Sequence, residues 1–403
     1  MSIDQSFLAA RALAIKPSPS MAAKTRVDQL RAEGRDIVDF TVGEPDFDTP
    51  AYIVDGAIQA IRAGHTRYTA AAGTRALLQA IQRKFERENG LSFGLDQLVV
   101  GVGAKQLIFT AFAATVEAGD EVIVPAPFWV SYPDMVLANE GKPVLVVCEE
   151  AQGFKLTPQT LEAAITPRTK WLVLNSPSNP TGAVYSADEL RALAEVLMRN
   201  PQVAVLTDEI YEHLCYGETP MASLAKVAPE LADRVLTING VSKAYAMTGW
   251  RVGYAGGPRT LVRAMTTLIS QNTSCVSAVS QAAAVVALDG DQKGVSEARD
   301  IYRARRDRVV SMLDAIPGVR CATPDGAFYV YPSVAGLIGR QTPQGKTLAS
   351  DLDVVMYLLD AGVAVLDGAA YGLSPYLRLS FATSMEQIEK GCDRIVQACA
   401  ALR

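Results

Sequence analysis

Lys243 stands just past an apolar run, residues 235–238, and shortly before a second, residues 252–255. Ser242 precedes it, and Arg251 follows eight positions on, among small residues. A lysine at the end of a buried strand desolvates, loses its proton and forms an imine with an aldehyde. On their own, Lys243 and Arg251 read equally as loop cations, since lysine is almost never fully buried. The rest of the chain has to decide between these readings.

Other segments bear on it, each with an ordinary reading beside a chemical one. Gly101-Val102-Gly103-Ala104-Lys105-Gln106 is a glycine turn opening a helix, where free N–H groups and the helix dipole hold a phosphate. Many strand–helix turns carry glycine without that role. Asn175 to Gly182 is stiffened by two prolines and a glycine, and Asn179 offers a positioned amide or merely sits in a turn. Asp208 ends the run 203–206. It is a helix cap or a buried carboxylate, and a buried carboxylate needs a cation such as a protonated pyridine nitrogen. Tyr211 lies where its hydroxyl reaches the same ligand. In Leu377-Arg378-Leu379-Ser380-Phe381 the alternation puts Arg378 on the face opposite the leucines. Its fork suits a carboxylate; a solvated strand face is the plain alternative. Trp129, in Phe128-Trp129-Val130-Ser131-Tyr132, supplies an aromatic plane or core packing.

Together these parts describe one ligand. A phosphate cradle, an acid for a ring nitrogen, an amide and a phenol for a ring hydroxyl, a stacking indole and an imine-forming lysine specify pyridoxal 5′-phosphate. Arg251 adds charge at the phosphate, and Arg378 grips a substrate carboxylate.

The elements that must position these residues follow from hydrophobic patterning. Short Val/Ile/Leu runs at 98–103, 121–124, 143–147, 171–175, 203–207, 235–238 and 252–255 suit strands buried on both faces of a mostly parallel sheet. Helices are expected at 22–33, 52–63, 75–88 and 104–117, and after a capping box, Ser186 with Glu189, stapled by Tyr185 and Leu190. Lys16-Pro17-Ser18-Pro19-Ser20 is excluded from helix interiors. After Gly290 come a long charged helix at 295–316, strands at 326–331, 363–366 and 376–381, and helices at 351–360 and 384–402, the last capped by Ser384 with Gln387. The expected fold is α/β: a large domain at 51–290 with a seven-stranded type of sheet flanked by helices, and a smaller α+β domain from 1–50 and 291–403.

Composition excludes other classes. The chain has 403 residues, 49% apolar and 20% charged, with net charge −5. That is a globular composition for about two to three domains, with no nucleic-acid footprint. No run reaches a membrane span, and the first 14 residues lack a signal-peptide layout. Six scattered cysteines fit a reducing cytoplasm and neither a zinc site nor a disulfide framework. With two histidines, no metal site and no Ser-His-Asp triad are expected.

The motifs together resemble the fold-type I, class I aminotransferases, and most closely the bacterial aspartate and aspartate/prephenate subgroup. The resemblance runs from Lys16-Pro17-Ser18 through Gly43-Glu44-Pro45-Asp46-Phe47-Asp48-Thr49-Pro50, Asn179-Pro180-Thr181-Gly182 and Asp208-Glu209-Ile210-Tyr211 to Ser242-Lys243, Arg251 and Arg378-Leu379-Ser380. It implies that Lys243 is the Schiff-base lysine and proton shuttle, Asp208 pairs with the pyridinium nitrogen, and Tyr211 and Asn179 contact the ring oxygen. It implies that Trp129 stacks on the ring, while Arg251, Ser242 and the Gly103, Ala104 and Lys105 backbone hold the phosphate. Arg378, with Asn179, Trp129 and the Gly43 backbone, would bind the substrate α-carboxylate, and Lys105 and Lys16 the distal one. Tyr68 would reach the phosphate of a neighbouring subunit, making a homodimer with shared active sites. The expected reaction is ping-pong transfer from L-aspartate to 2-oxoglutarate. Alternatives are an aromatic or prephenate aminotransferase, a pyridoxal-phosphate lyase, or an inactive regulator. Gly240 departs from the many relatives with serine three residues before the lysine, so one phosphate donor is missing.

Overall fold

A computed structural model describes residues 7–15, 17, 19–217 and 221–403. A short strand, β1 (Val38–Asp39), precedes the main sheet. That sheet comprises β2 (Leu98–Gly101), β3 (Glu121–Ala126), β4 (Lys142–Val147), β5 (Thr169–Asn175), β6 (Ala204–Asp208), β7 (Val235–Gly240) and β8 (Gly253–Gly256). The seven strands lie in the order β2-β8-β7-β6-β5-β3-β4. All neighbours are parallel except β8, which runs antiparallel to β2 and β7. The expected mostly parallel sheet is therefore present.

Burial on both faces explains the continuous apolar runs of the inner strands; β4 departs from that expectation, because as the edge strand it leaves Leu145 and Val147 exposed. Val100, Ile123, Leu172, Leu174 and Val205 face a cluster built with helices Arg75–Lys84, Ala187–Arg199 and Ala278–Asp289. Val99, Val122, Val124, Val173 and Leu206 face the opposite cluster, with helices Gly103–Ala113, Ser131–Ala138 and Arg259–Asn272. Adjacent residues thus feed opposite cores, as the period of a strand requires. Ser186 and Glu189 close the expected capping box, at 2.8 and 3.2 Å.

A third core lies beyond the sheet's carboxyl edge. It contains a three-stranded antiparallel sheet, β11 (Leu366–Asp367), β12 (Leu377–Ser380) and β9 (Tyr329–Val330), with helices Lys293–Asp314, Asp351–Asp360 and Met385–Ala400. Here β1 pairs in parallel with β10 (Val363–Ala364). Ile210 and Tyr211, from the turn after β6, pack into this core.

Some boundaries differ from the sequence reading. Pro19 starts helix Pro19–Ala32 instead of lying outside it, because the first helical position has no N–H bond to lose. The helix expected over 75–88 changes at Phe85–Asn89 to a wider π turn, ended by Gly90 at φ 62°. The strand expected over 363–366 divides into β10 and β11, which serve different partners. Among the described residues, no helix is long and apolar enough to cross a membrane.

Candidate active site

The carboxyl ends of β5, β6 and β7 lie side by side. Asn175 pairs in register with Asp208, and Asp208 with Ile238. In open α/β sheets this edge is where ligands bind. A cavity of about 430 Å³ opens there, lined by Asn179, Asp208, Tyr211, Ser242, Lys243 and Arg378, with Gly43, Ala104, Lys105, Trp129 and Arg251 completing its wall. Of the remaining residues singled out by sequence, Gly103 and Tyr68 do not line the cavity, and Lys16 falls outside the described residues.

Lys243 follows β7 directly, and its Nζ donates to the Gly43 carbonyl at 2.6 Å. The rings of Tyr211 and Phe328 lie 5.7 Å from it. Burial pushes its ammonium down to about 8, and Arg251 and Arg378 add to that while Glu44 and Asp208 oppose it. A substantial neutral fraction at physiological pH is the property a nucleophilic or basic lysine needs.

Asp208 closes β6 and is 4% exposed. No helix begins there, so of the two sequence readings the buried carboxylate holds. Tyr132 Oη donates to Oδ2 at 2.7 Å and the Ile210 amide to Oδ1 at 3.3 Å. Burial raises its pKa, against these hydrogen bonds and Lys243. A carboxylate accepts about four hydrogen bonds, so capacity remains toward the cavity. The Tyr211 hydroxyl is 2.9 Å from that of Tyr329.

Arg378 is 2% exposed, which removes the solvated-face reading. Its guanidinium lies over Tyr329 and Tyr371, at 4.6 and 5.2 Å. Nη2 donates to the Thr41 carbonyl at 2.5 Å and Nη1 to Asn179 Oδ1 at 3.4 Å. Its Nε is buried without a partner among the described residues. A buried donor of this kind costs free energy until an acceptor arrives.

At the opposite end, Arg251 adopts φ 55° and donates to the Thr248 and Val102 carbonyls, at 2.8 and 3.3 Å. Gly103, at φ +77°, heads helix Gly103–Ala113; a Cβ there would lie 2.3 Å from Arg251 Nη2. The guanidinium thus occupies space that only a glycine leaves, beside a helix N-terminus. Gly240 is closely packed: a Cβ would meet Val252 O at 3.0 Å, Gly253 Cα at 3.1 Å and Ile210 Cδ1 at 3.1 Å. Trp129 meets Tyr132 edge to face at 5.3 Å, and Lys105 Nζ lies 4.7 Å over the indole. Burial, with Arg251, lowers the Lys105 pKa. Tyr68 is 88% exposed.

Sequence reasoning missed Tyr132 and Tyr329. Tyr132 sits in the aromatic stretch with Trp129, but only the fold aims it at Asp208. Tyr329 belongs to a run whose aromatic density reads as core.

Similarity to known proteins extends over nearly the whole chain. The sequence model described as Aminotransferase class I and II matches residues 35–395. A probable aspartate/prephenate aminotransferase of Rhizobium leguminosarum is 52% identical, with 98% of this chain and all of that protein covered. An aspartate/prephenate aminotransferase of Cereibacter sphaeroides is 51% identical, with 98% and 99% covered. The crystal structure of the aspartate aminotransferase from Rhizobium meliloti superposes with TM-score 0.96 at 50% identity, covering 98% of this chain and 99% of that one. The aspartate aminotransferase of Thermus thermophilus with maleate gives 0.91 at 41%, covering 97% and 99%. With a matching family model over most of its length and relatives this similar end to end, the chain belongs to the class I and II aminotransferases.

Proposed function

We propose that the protein transfers the amino group of L-aspartate to 2-oxoglutarate in two half-reactions, giving oxaloacetate and L-glutamate, with pyridoxal 5′-phosphate as the carrier. The observation that carries this reading is the single cavity in which Lys243, with its pKa near 8, stands among Asp208, Arg251 and Arg378. The relatives named as aspartate aminotransferases support the same substrate.

The donor set fits that cofactor. The Arg251–Gly103 cradle at a helix N-terminus suits a phosphate, the spare acceptor capacity of Asp208 suits a protonated ring nitrogen, and Lys243 is the amine for an aldehyde. When bound, pyridoxal phosphate supplies the aldehyde carbon and a ring able to take up carbanion charge. Arg251 and the amides at Gly103, Ala104 and Lys105 would hold the phosphate. The Tyr211 hydroxyl, held by Tyr329, and the Asn179 amide would meet the ring oxygen.

The chain's own groups perform the rest. Arg378 binds the α-carboxylate through its fork, and the rings of Tyr329 and Tyr371 pack against the guanidinium. Lys243 Nζ takes the substrate α-proton as general base and later returns a proton. Lys105 meets the distal carboxylate of a dicarboxylic substrate. The structure with maleate, a dicarboxylate, belongs to a similar protein. Tyr68, so exposed in the single chain, is available to a second copy, and a homodimer with shared sites follows from this reading.

Several of the similar proteins, those of Rhizobium leguminosarum and Cereibacter sphaeroides among them, carry prephenate in their names, which favours prephenate as a further amino acceptor. Values of kcat/KM for aspartate, glutamate, tyrosine and prephenate test the assignment. Aspartate and glutamate should lead, and Lys243→Ala should abolish turnover. A poor value for aspartate, or turnover without Lys243, overturns it.

A further inference from the structure

Lys84 is the last residue of helix Arg75–Lys84, and it is 0% exposed. A charged lysine at such depth needs full compensation. Its Nζ donates to Asn89 Oδ1 at 2.6 Å and contacts Glu212 Oε1, with Glu88 Oε2 at 3.6 Å. Glu212 in turn accepts from Asn239 Nδ2 on Oε1 at 2.7 Å and from Asn89 Nδ2 on Oε2 at 2.6 Å. Asn239 is buried and closes on the backbone, its Oδ1 accepting from the Gly240 amide at 2.7 Å.

The network joins two segments that carry the chemistry. Glu212 directly follows Tyr211 in the turn after Asp208. Asn239 lies on β7, which leads straight to Ser242 and Lys243. Lys84 itself is not in the wall of the cavity, so it touches neither substrate nor cofactor.

Charge within the network is matched. Burial, reinforced by the Glu212 carboxylate, pushes Glu209 up to about 8, so it keeps a proton at neutral pH. Burial would raise Glu212 too, but Lys84 and His213 outweigh it and hold that carboxyl below its usual range. Deep inside there is one ammonium for one carboxylate. Glu209 accepts from Ser223 Oγ at 2.6 Å and, more distantly, from Asn89 Nδ2 at 3.5 Å. Toward solvent, Glu88 pairs with His213 Nε2 at 2.9 Å.

A buried ion pair is weak evidence for stability, because apolar groups of the same shape often do as well. What it supplies over an apolar contact is a fixed direction and distance. We infer that Lys84 is a positioning residue for the reaction: through Glu212 and Asn239 it braces the turn bearing Asp208 and Tyr211 against the strand that delivers Lys243. This rests on the proposed transaminase reading, and the test keeps the two apart.

The test uses the holoenzyme, with kcat counted per bound cofactor. In Lys84→Met the uncompensated Glu212 shifts the turn, and kcat falls about tenfold, as sub-ångström misplacement of reacting groups does. The KM for 2-oxoglutarate stays within about twofold, because Arg378 hangs on β12 outside the network. Hydrogen exchange of the Glu209, Glu212 and Leu214 amides, now bonded to Ile238 O, Glu209 O and Tyr211 O, becomes faster. The pair Lys84→Met/Glu212→Gln removes both charges and restores kcat to within about threefold. Should Lys84→Met not fold, Asn239→Ala keeps the ion pair, cuts the link to β7 and lowers kcat by about threefold or more. Parental kcat in Lys84→Met or Asn239→Ala, unchanged exchange in the turn, or kcat and KM moving together overturns the inference. Absence of transamination in the parent enzyme overturns the functional proposal instead, and the exchange readout still decides the brace.

Discussion

Tyr132 and Asp208, 76 positions apart, are joined by a 2.7 Å hydrogen bond between fully buried groups. The phenol donates to Oδ2 and holds the carboxylate at the cavity wall. Burial raises the Tyr132 pKa well above its ordinary value, with the Asp208 charge adding to it, so this donor keeps its proton across the working range. A neutral, permanent donor steadies Asp208 without supplying a competing positive charge.

Tyr132→Phe deletes that donor and leaves Asp208 with the Ile210 amide. A hydrogen bond to a charged group contributes about 1.5–3 kcal/mol, so kcat per bound cofactor should fall by roughly ten- to a hundredfold. Steady-state kinetics with aspartate, normalised to cofactor absorbance, provide the check. Unchanged kcat would mean that Tyr132 only fills space.

Gly103→Ala puts a Cβ where Arg251 Nη2 now lies, 2.3 Å away, at φ +77°. The left-handed backbone costs an alanine about 1–2 kcal/mol, and the guanidinium must swing aside. Affinity for pyridoxal phosphate, titrated by fluorescence, should drop about tenfold for loss of one well-placed charged contact. Gly119→Ala is the control, since Gly119 has φ +96° but nothing within 4 Å of its Cβ. It should lose stability and keep cofactor affinity. Equal affinity loss in both variants would trace the effect to backbone strain.

Lys243 has a pKa near 8 in the folded chain and an ordinary value of 10.5. Between those values the unfolded, cofactor-free chain binds more protons, so stability rises with pH across that window. Below about pH 8 the cost of holding a buried ammonium is fully present. The cofactor-free Lys243→Met variant should therefore melt above the parent at pH 7, and that gap should narrow as pH climbs toward 10. Calorimetry on both proteins at matched ionic strength measures it. A gap independent of pH would show that Lys243 is not desolvated.

Some of this architecture is local and therefore legible in the chain. Apart from the exposed edge strand β4, the Val/Ile/Leu runs mark buried strands because a strand covered on both faces has no polar side to alternate with. Lys243, Asp208, Asn179 and Arg378 stand out because each type at a strand end or turn supplies a different part of one reaction. Their combination constrains the chemistry more than any one residue does. The departure at Gly240 was visible as well, though not its close packing against Val252, Gly253 and Ile210.

Tertiary structure alone decided burial and partnership. A strand's period tells which face Arg378 shares, not whether that face is wet; packing against Tyr329 and Tyr371 made it dry. Lys84 reads in sequence as one more charge on an amphipathic helix, and only Glu212, 128 positions away, turns it into a buried cation. The Lys243 ammonium owes its lowered pKa to burial among segments up to 200 positions distant, where Gly43 receives its hydrogen bond. The physical reason is common to all three. Side-chain type and spacing are properties of the local chain, whereas desolvation and hydrogen-bond pairing depend on which distant segments the fold brings within a few ångströms.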